Sequence, residues 1–219
     1  MNNDLPTLLS KIILPSLGTT LHMVIISTIL STVFGFILAI ILILTNQDGL
    51  RPNKPIYTIL NTVINVIRSF PFIILLVSII PLTRAIVGTS IGKNAAIVPL
   101  TVTASPFIAR LIETSLRGVD DALIEAAKSF GATNSQIIFK VMIKESVPSI
   151  ISNITMAIIA ILGSTAMAGA VGAGGLGAVA LTYGYQNFND TIMYSTVFIL
   201  VILVQLIQFI GNGVYKKFK

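Results

Sequence analysis

Nine of the chain's 22 charged residues fall within residues 111–148: Glu113, Arg117, Asp120, Asp121, Glu125, Lys128, Lys140, Lys144 and Glu145. Apolar segments flank the stretch, so its charge is local rather than part of a general polar surface. Asp120 or Asp121 can cap a short helix over 122–130, and Gly131 follows where a left-handed C-cap is expected. Thr133, Asn134 or Ser135 can cap a second helix, with Ile137, Ile138, Val141 and Met142 as its apolar stripe. Two short capped helices with exposed charge suit recognition of another surface. Composition equally allows an amphipathic loop lying on the bilayer.

Elsewhere the sequence offers little bond-making chemistry. It has no cysteine, which removes disulfides and thiolate metal sites. Its one histidine, His22, lies near the start of an apolar segment and is expected at a membrane interface, so a Ser-His-Asp hydrolase is improbable. No G-x-x-x-x-G-K-[ST] phosphate loop occurs, and active transport would therefore need an ATP-using partner. Gly172, Gly174 and Gly177 fit G-x-G-x-x-G. The dinucleotide reading fails, however, because no strand precedes them and 198–203 is apolar rather than acidic. No paired intramembrane carboxylates stand ready to relay protons, which counts against a secondary carrier. No metal site and no cofactor are expected.

The elements that position these residues are membrane helices. Hydrophobic residues make up 54% of the chain and charged residues 10%, with a mean hydropathy of +0.94, which excludes an ordinary soluble domain. The net charge of +6 needs no nucleic acid, because Lys and Arg lie between and beside the spans. Residues 1–11 lack the basic and short apolar regions of a cleaved signal peptide, so the first span is expected in the mature protein.

Spans are expected at about 19–44, 57–81, 95–112, 149–168 and 191–214. The second contains Arg68 and Pro71: Pro71 should kink it, and Arg68 is expected to hold two helices together. Residues 82–93 read as a short polar connector. The third span carries Pro99 and Pro106 with the hydroxyls Thr101, Thr103 and Ser105. Six glycines in 168–184 disfavour a further span and indicate a re-entrant or loop segment at the far membrane face. The last span contains Gln205 and Gln208.

Five spans with the N-terminus outside place ten basic residues inside: Arg51, Lys54, Arg110, Arg117, Lys128, Lys140, Lys144, Lys216, Lys217 and Lys219. Only Lys11, Arg84 and Lys93 fall outside, as the positive-inside rule requires. A sixth span would put either the charged loop or the basic tail on the wrong side.

Glu125-Ala126-Ala127, followed after three residues by Gly131, resembles the EAA motif, the cytoplasmic coupling loop of permease subunits in bacterial ABC importers. The family's usual Leu-Pro pair is replaced here by Ile143-Lys144, and Pro148 is read against its second proline. RSFPF (68–72), IIPLTRAIVGTSIG (79–92), AAIVPLTV (95–102), PFIARLIE (106–113) and AGAVGAGGLG (168–177) look like the MetI-like permeases of methionine ABC importers. The resemblance covers nearly everything from the second span onward.

It implies an all-α, polytopic membrane protein with the type I ABC importer permease fold, one permease domain over 1–219 and a coupling loop at about 113–147. It implies a homodimer in the bacterial plasma membrane, with two ABC ATPase subunits and an external substrate-binding lipoprotein as partners. The C-terminus would be cytoplasmic. Transport would alternate between inward and outward access while a separate subunit hydrolyses ATP.

Leu123, Glu125, Ala126, Ala127, Gly131 and Ala132 are then the expected ATPase contacts, with small side chains at a tip that enters a cleft. The uncharged residues 146–189 are expected to line the path, with Ser164, Thr165, Ala166, Met167 and Gly169 at the gate. Tight helix packing is the competing role for these small residues. A passage without fixed charge suits a zwitterion, and an apolar wall tolerates a thioether. Methionine or a related compound is the expected substrate. Another small amino acid or dipeptide, an ion-coupled carrier, and a non-transporting membrane scaffold are the alternatives.

Overall fold

A computed structural model describes residues 9–219. The reading of 1–11 as free of a cleaved leader falls mainly outside them. Among the described residues, four helices are long and apolar enough to cross a membrane, and a bent helix pair supplies a fifth crossing. The chain is helical throughout its ordered elements, as expected of a five-span all-α protein.

The first helix, α1 (Leu14–Thr45), continues a wide helical turn at Leu9–Ile13. Its buried face carries Ser27, Ser31, Gly35 and Ala39, spaced four residues apart. Small residues at that spacing let two backbones approach closely. At Gly35 a Cβ would sit 2.8 Å from Ile108 Cγ2 and 2.9 Å from the Ser105 carbonyl. The partner in this crossing is α5 (Lys93–Arg117), and α1 against α5 is the most extensive helix pair in the chain.

Between them the second span departs from expectation. It is broken rather than kinked. Helix α2 (Lys54–Ser69) starts at Asn53, whose side chain accepts from the Ile56 N–H, and stops at Phe70. Phe70 is extended (φ −77°, ψ 132°) because the ring of Pro71 disfavours helical backbone in the residue before it. Helix α3 (Phe72–Ser78) then leaves at 107° to α2. At 16 residues α2 reaches about 24 Å, short of a hydrocarbon core of about 30 Å, so crossing requires both pieces. The expected polar connector is also half helical: α4 (Ile80–Val87) runs to Gly88, whose φ of +81° ends it.

After α5, helix α6 (Asp121–Ser129) forms the knob. Asp120 is its cap, accepting from the Ala122 N–H at 2.9 Å. A second short helix does not stand apart from the membrane. A capping box at Thr133 and Gln136 starts a turn that winds through Ile137–Met142 into α7 (Ile143–Ala168), and the whole reads as one 40-residue helix, Asn134–Ala173. Ile137, Ile138 and Met142 are buried beneath the knob with Ile43, Ile112, Leu116 and Val119. This apolar contact holds α6 to the ends of α1 and α5.

The Gly-rich stretch turns back on itself, mostly as helix. It passes through Gly172, Gly174 and Gly175, all at positive φ, into α8 (Gly175–Ala178) and a wide turn at Val179–Gln186. The Leu176 N–H donates to Thr20 Oγ1 at 2.9 Å, and the Gly92 N–H donates to the Gly172 carbonyl at 3.0 Å. These contacts lie near the start of α1, whereas Asn134 Nδ2 donates to the Leu50 carbonyl just beyond its end. The re-entrant segment and the knob therefore occupy opposite ends of the molecule.

Helix α9 (Asp190–Phe218), capped by Asn189, closes the fold against α7. Gly211 lies directly on Thr155, leaving no room for a side chain. The outer faces of α9 (Phe198, Phe209, Ile210) and α1 (Ile25, Ile29, Ile37) are exposed and apolar, as lipid contact demands.

Candidate functional site

Three faces of α6 have separate environments. Leu123, Ala126 and Phe130, at i, i+3 and i+7, point outward; Leu123 is 44% exposed and Phe130 is 92% exposed. Ile124 and Ala127 turn inward onto the core, and Ala132 packs there with them. Asp121, Glu125 and Lys128 line a polar groove of 490 Å³ between α6 and the loop Asn46, Asp48, Gly49 and Leu50. Of the expected contact residues, Leu123, Glu125 and Ala126 are thus exposed, while Ala127 and Ala132 support the helix from below. Phe130 was missed by the sequence reading. Its register with Leu123 was the available signal.

Gly131 has φ +74°, and a Cβ there would meet nothing within 4 Å. Glycine is needed for the backbone angle rather than for space. The Gly131 N–H donates to the Lys128 carbonyl and the Ala132 N–H to the Ala127 carbonyl, closing the C-terminal end of α6.

Directly above the knob, α2 is tied to α5 by hydrogen bonds from two arginines that share a carboxylate. Glu113, 3% exposed, accepts from Arg110 at 2.7 Å and from Arg117 at 2.8 Å. Arg110 also donates to Asn61 and, at 3.1 Å, to Asn65; Arg117 donates to the Tyr57 hydroxyl at 3.3 Å. The expected inter-helix clamp exists, but it is built on Arg110 rather than Arg68. Arg68 makes no hydrogen bond or ion pair with any described residue. It lines a cavity of 260 Å³ with Leu100, Thr103, Ala104, Phe107, Ala160, Ile161 and Ser164.

The five expected gate residues do not share one environment. Ser164 borders that cavity and donates its hydroxyl to the Ala160 carbonyl. Met167 is 53% exposed on the same side of α7, three residues on. Thr165 is buried, with its hydroxyl on the Leu162 carbonyl at 2.6 Å. Ala166 backs onto Gly177, and at Gly169 a Cβ would lie 2.5 Å from the Ala178 N atom. Ala166 and Gly169 are packing positions against the re-entrant segment, and Thr165 is a buried position beside them. Pro71 sets the break between α2 and α3.

Comparison with known proteins gives the setting of this geometry. Residues 31–219 match the family described as binding-protein-dependent transport system inner membrane component. The chain is 46% identical over 208 residues to the probable D-methionine transport system permease protein MetI of Vibrio cholerae, covering 95% of this chain and 92% of that one. It is 50% identical over 173 residues to the methionine import system permease protein MetP of Bacillus subtilis, 78% of each chain. Among solved structures, a chain of the MetNI methionine ABC transporter in an inward facing conformation superposes with a TM-score of 0.94 and 42% identity over 100% of both chains.

The chain belongs to the inner membrane components of binding-protein-dependent transport systems. It is a multi-pass permease subunit with the type I fold, and a transporter component rather than an enzyme.

Proposed function

We propose that this chain is the permease subunit of an ATP-driven importer of methionine or a related small methionine compound. The likeness to MetNI over the full length of both chains carries this reading. Two copies would enclose the path, two ABC ATPases would dock beneath them, and an external binding lipoprotein would deliver the substrate. The permease domain spans 1–219 with its coupling loop at about 113–147.

In this reading α6 is the coupling helix. Leu123 and Phe130 supply apolar anchors, Ala126 keeps the centre of the face low enough to enter a cleft, and Glu125 offers a charge at its edge. Gly131, Ala127 and Ala132 hold the helix in position. Closure of the ATPases on ATP would move α6. Because α6 is packed on the ends of α1 and α5, and is continuous in packing with α7, the motion would pass to the walls of the cavity. Ser164 and Met167 would then meet the substrate, while Thr165, Ala166 and Gly169 keep the re-entrant segment seated on α7. The knob and the basic tail face the cytoplasm and the N-terminus faces outward.

The test is uptake into proteoliposomes that hold the permease, its ATPase and its binding protein, with ATP enclosed. ATP-dependent accumulation of labelled methionine is expected, with leucine, a methionine dipeptide and a phosphate ester as comparisons. Accumulation of the ester without any methionine compound would overturn the assignment.

A further inference from the structure

Tyr57, Asn61, Asn65 and Arg68 lie on one face of α2, at successive helical turns. The first three each meet an arginine of α5: Tyr57 meets Arg117, while Asn61 and Asn65 meet Arg110. Arg68 is the next rung, about 4.5 Å further along the helix than Asn65. Opposite it the α5 face continues from Arg110 to Phe107 and Thr103, which border the cavity with Ser164 of α7. Here no group among the described residues answers the guanidinium.

Among the described residues no anion is placed to do so. Of the eight acidic residues, Asp4 lies outside the described residues, and Glu113 is already shared by two arginines. Asp48, Asp120, Asp121, Glu125 and Glu145 are in or next to the charged end of the molecule, and Asp190 opens α9 at the other end. A second copy of the chain would bring the same set. Thr103 is the eleventh residue of the 25 in α5, so the cavity lies near the middle of the span. A cation at that depth is costly unless it faces a polar cavity or meets an anion.

We propose that the Arg68 guanidinium holds the carboxylate of the amino acid in transit, deepening the methionine-importer reading on which it rests. A planar guanidinium can take a carboxylate through two parallel N–H···O bonds. The hydroxyls of Thr103 and Ser164 and the ring face of Phe107 are the groups available to the ammonium end. The apolar remainder, Leu100, Ala104 and Ile161, accommodates the side chain. At 260 Å³ the cavity falls just below the range of about 300–1,000 Å³ typical of drug-sized pockets, which suits a small amino acid. The path therefore carries one fixed charge, supplied by α2 and not by α7, which is uncharged from Ser146 onward.

The chain's lack of cysteine allows a direct test in the assembled transporter with its ATPase and binding protein. Arg68→Cys should assemble, as judged by co-purification, and lose methionine uptake by at least about tenfold, as expected on removing the one cation that meets the substrate carboxylate. Treatment with an aminoethyl thiosulfonate, which restores a positive charge, should recover uptake; a methyl thiosulfonate, which does not, should leave it low. Bound methionine should slow modification of the introduced thiol, read on this chain by mass. In parallel, Arg68→Lys should retain more uptake than Arg68→Gln. Unchanged uptake in Arg68→Cys, equal recovery with both reagents, failure of both in the assembled complex, or equal uptake in the Lys and Gln variants would each overturn the proposal. If the parent transporter takes up leucine instead of methionine, the substrate reading falls, and the same charge restoration is then read on leucine.

Discussion

Gly131 shows how a single backbone angle can govern a surface contact. Its φ of +74° costs a non-glycine residue on the order of 1–3 kcal/mol, and the cost is greatest for a β-branched side chain. No atom lies within 4 Å of a Cβ placed there, so the strain acts on the loop and not on packing. Gly131→Val should therefore leave membrane insertion intact, because the spans are untouched, and lower retention of the ATPase by severalfold on co-purification. Gly131→Asn, which tolerates left-handed backbone, should retain more. Equal retention of ATPase by parent and Val variant would contradict a role for this angle in coupling. Glu113 makes the opposite point: its worth lies in side-chain contacts, since its buried carboxylate sits between two arginines and offsets the charge of one.

Among the elements, α7 separates two roles that the sequence placed together. Ala166 lies against Gly177 with no space between, Gly169 just beyond α7 lies against Ala178, and Thr165 is buried with its hydroxyl on its own helix. Met167, a little over half a turn away from Thr165 and three residues from Ser164, is open. A tryptophan at each position should tell the roles apart. Ala166→Trp should disturb the fold and lower the yield of assembled permease, because overpacking a close backbone contact displaces both segments. Met167→Trp should assemble normally and reduce uptake at least about tenfold by filling the space ahead of the cavity. Loss of assembly with Met167→Trp would assign Met167 to packing. The break at Pro71 belongs to this scale too: it bends the second span by 107° and so leaves Arg68 at the last turn before the bend.

For the whole molecule the decisive property is orientation. Ten basic residues are assigned to one side and three to the other, and the structure places the knob and the Gly-rich segment at opposite ends of α1. Single cysteines at Asn2, Thr133 and Phe218 should report this in intact cells. An impermeant thiol reagent added from outside should label position 2, and positions 133 and 218 only after the membrane is opened. Labelling of position 133 from outside would invert the arrangement and remove α6 from any cytoplasmic partner.

The five crossings, the caps of α6 and the turn at Gly131 were legible in the sequence because each rests on local causes. Hydrophobic length sets a span, Asp120 and Thr133 satisfy the free amides of the turns they begin, and only glycine enters left-handed backbone without strain. Other features depend on residues far apart in the chain. That Arg110 and not Arg68 clamps the helices follows from Asn61 and Asn65 standing opposite it across some 45 to 49 positions. Division of residues 164–169 between cavity and packing depends on where the re-entrant segment lands, which Thr20 and Gly92 decide. Periodicity supplies the faces of a helix; which neighbour each face meets is decided only when the helices have packed.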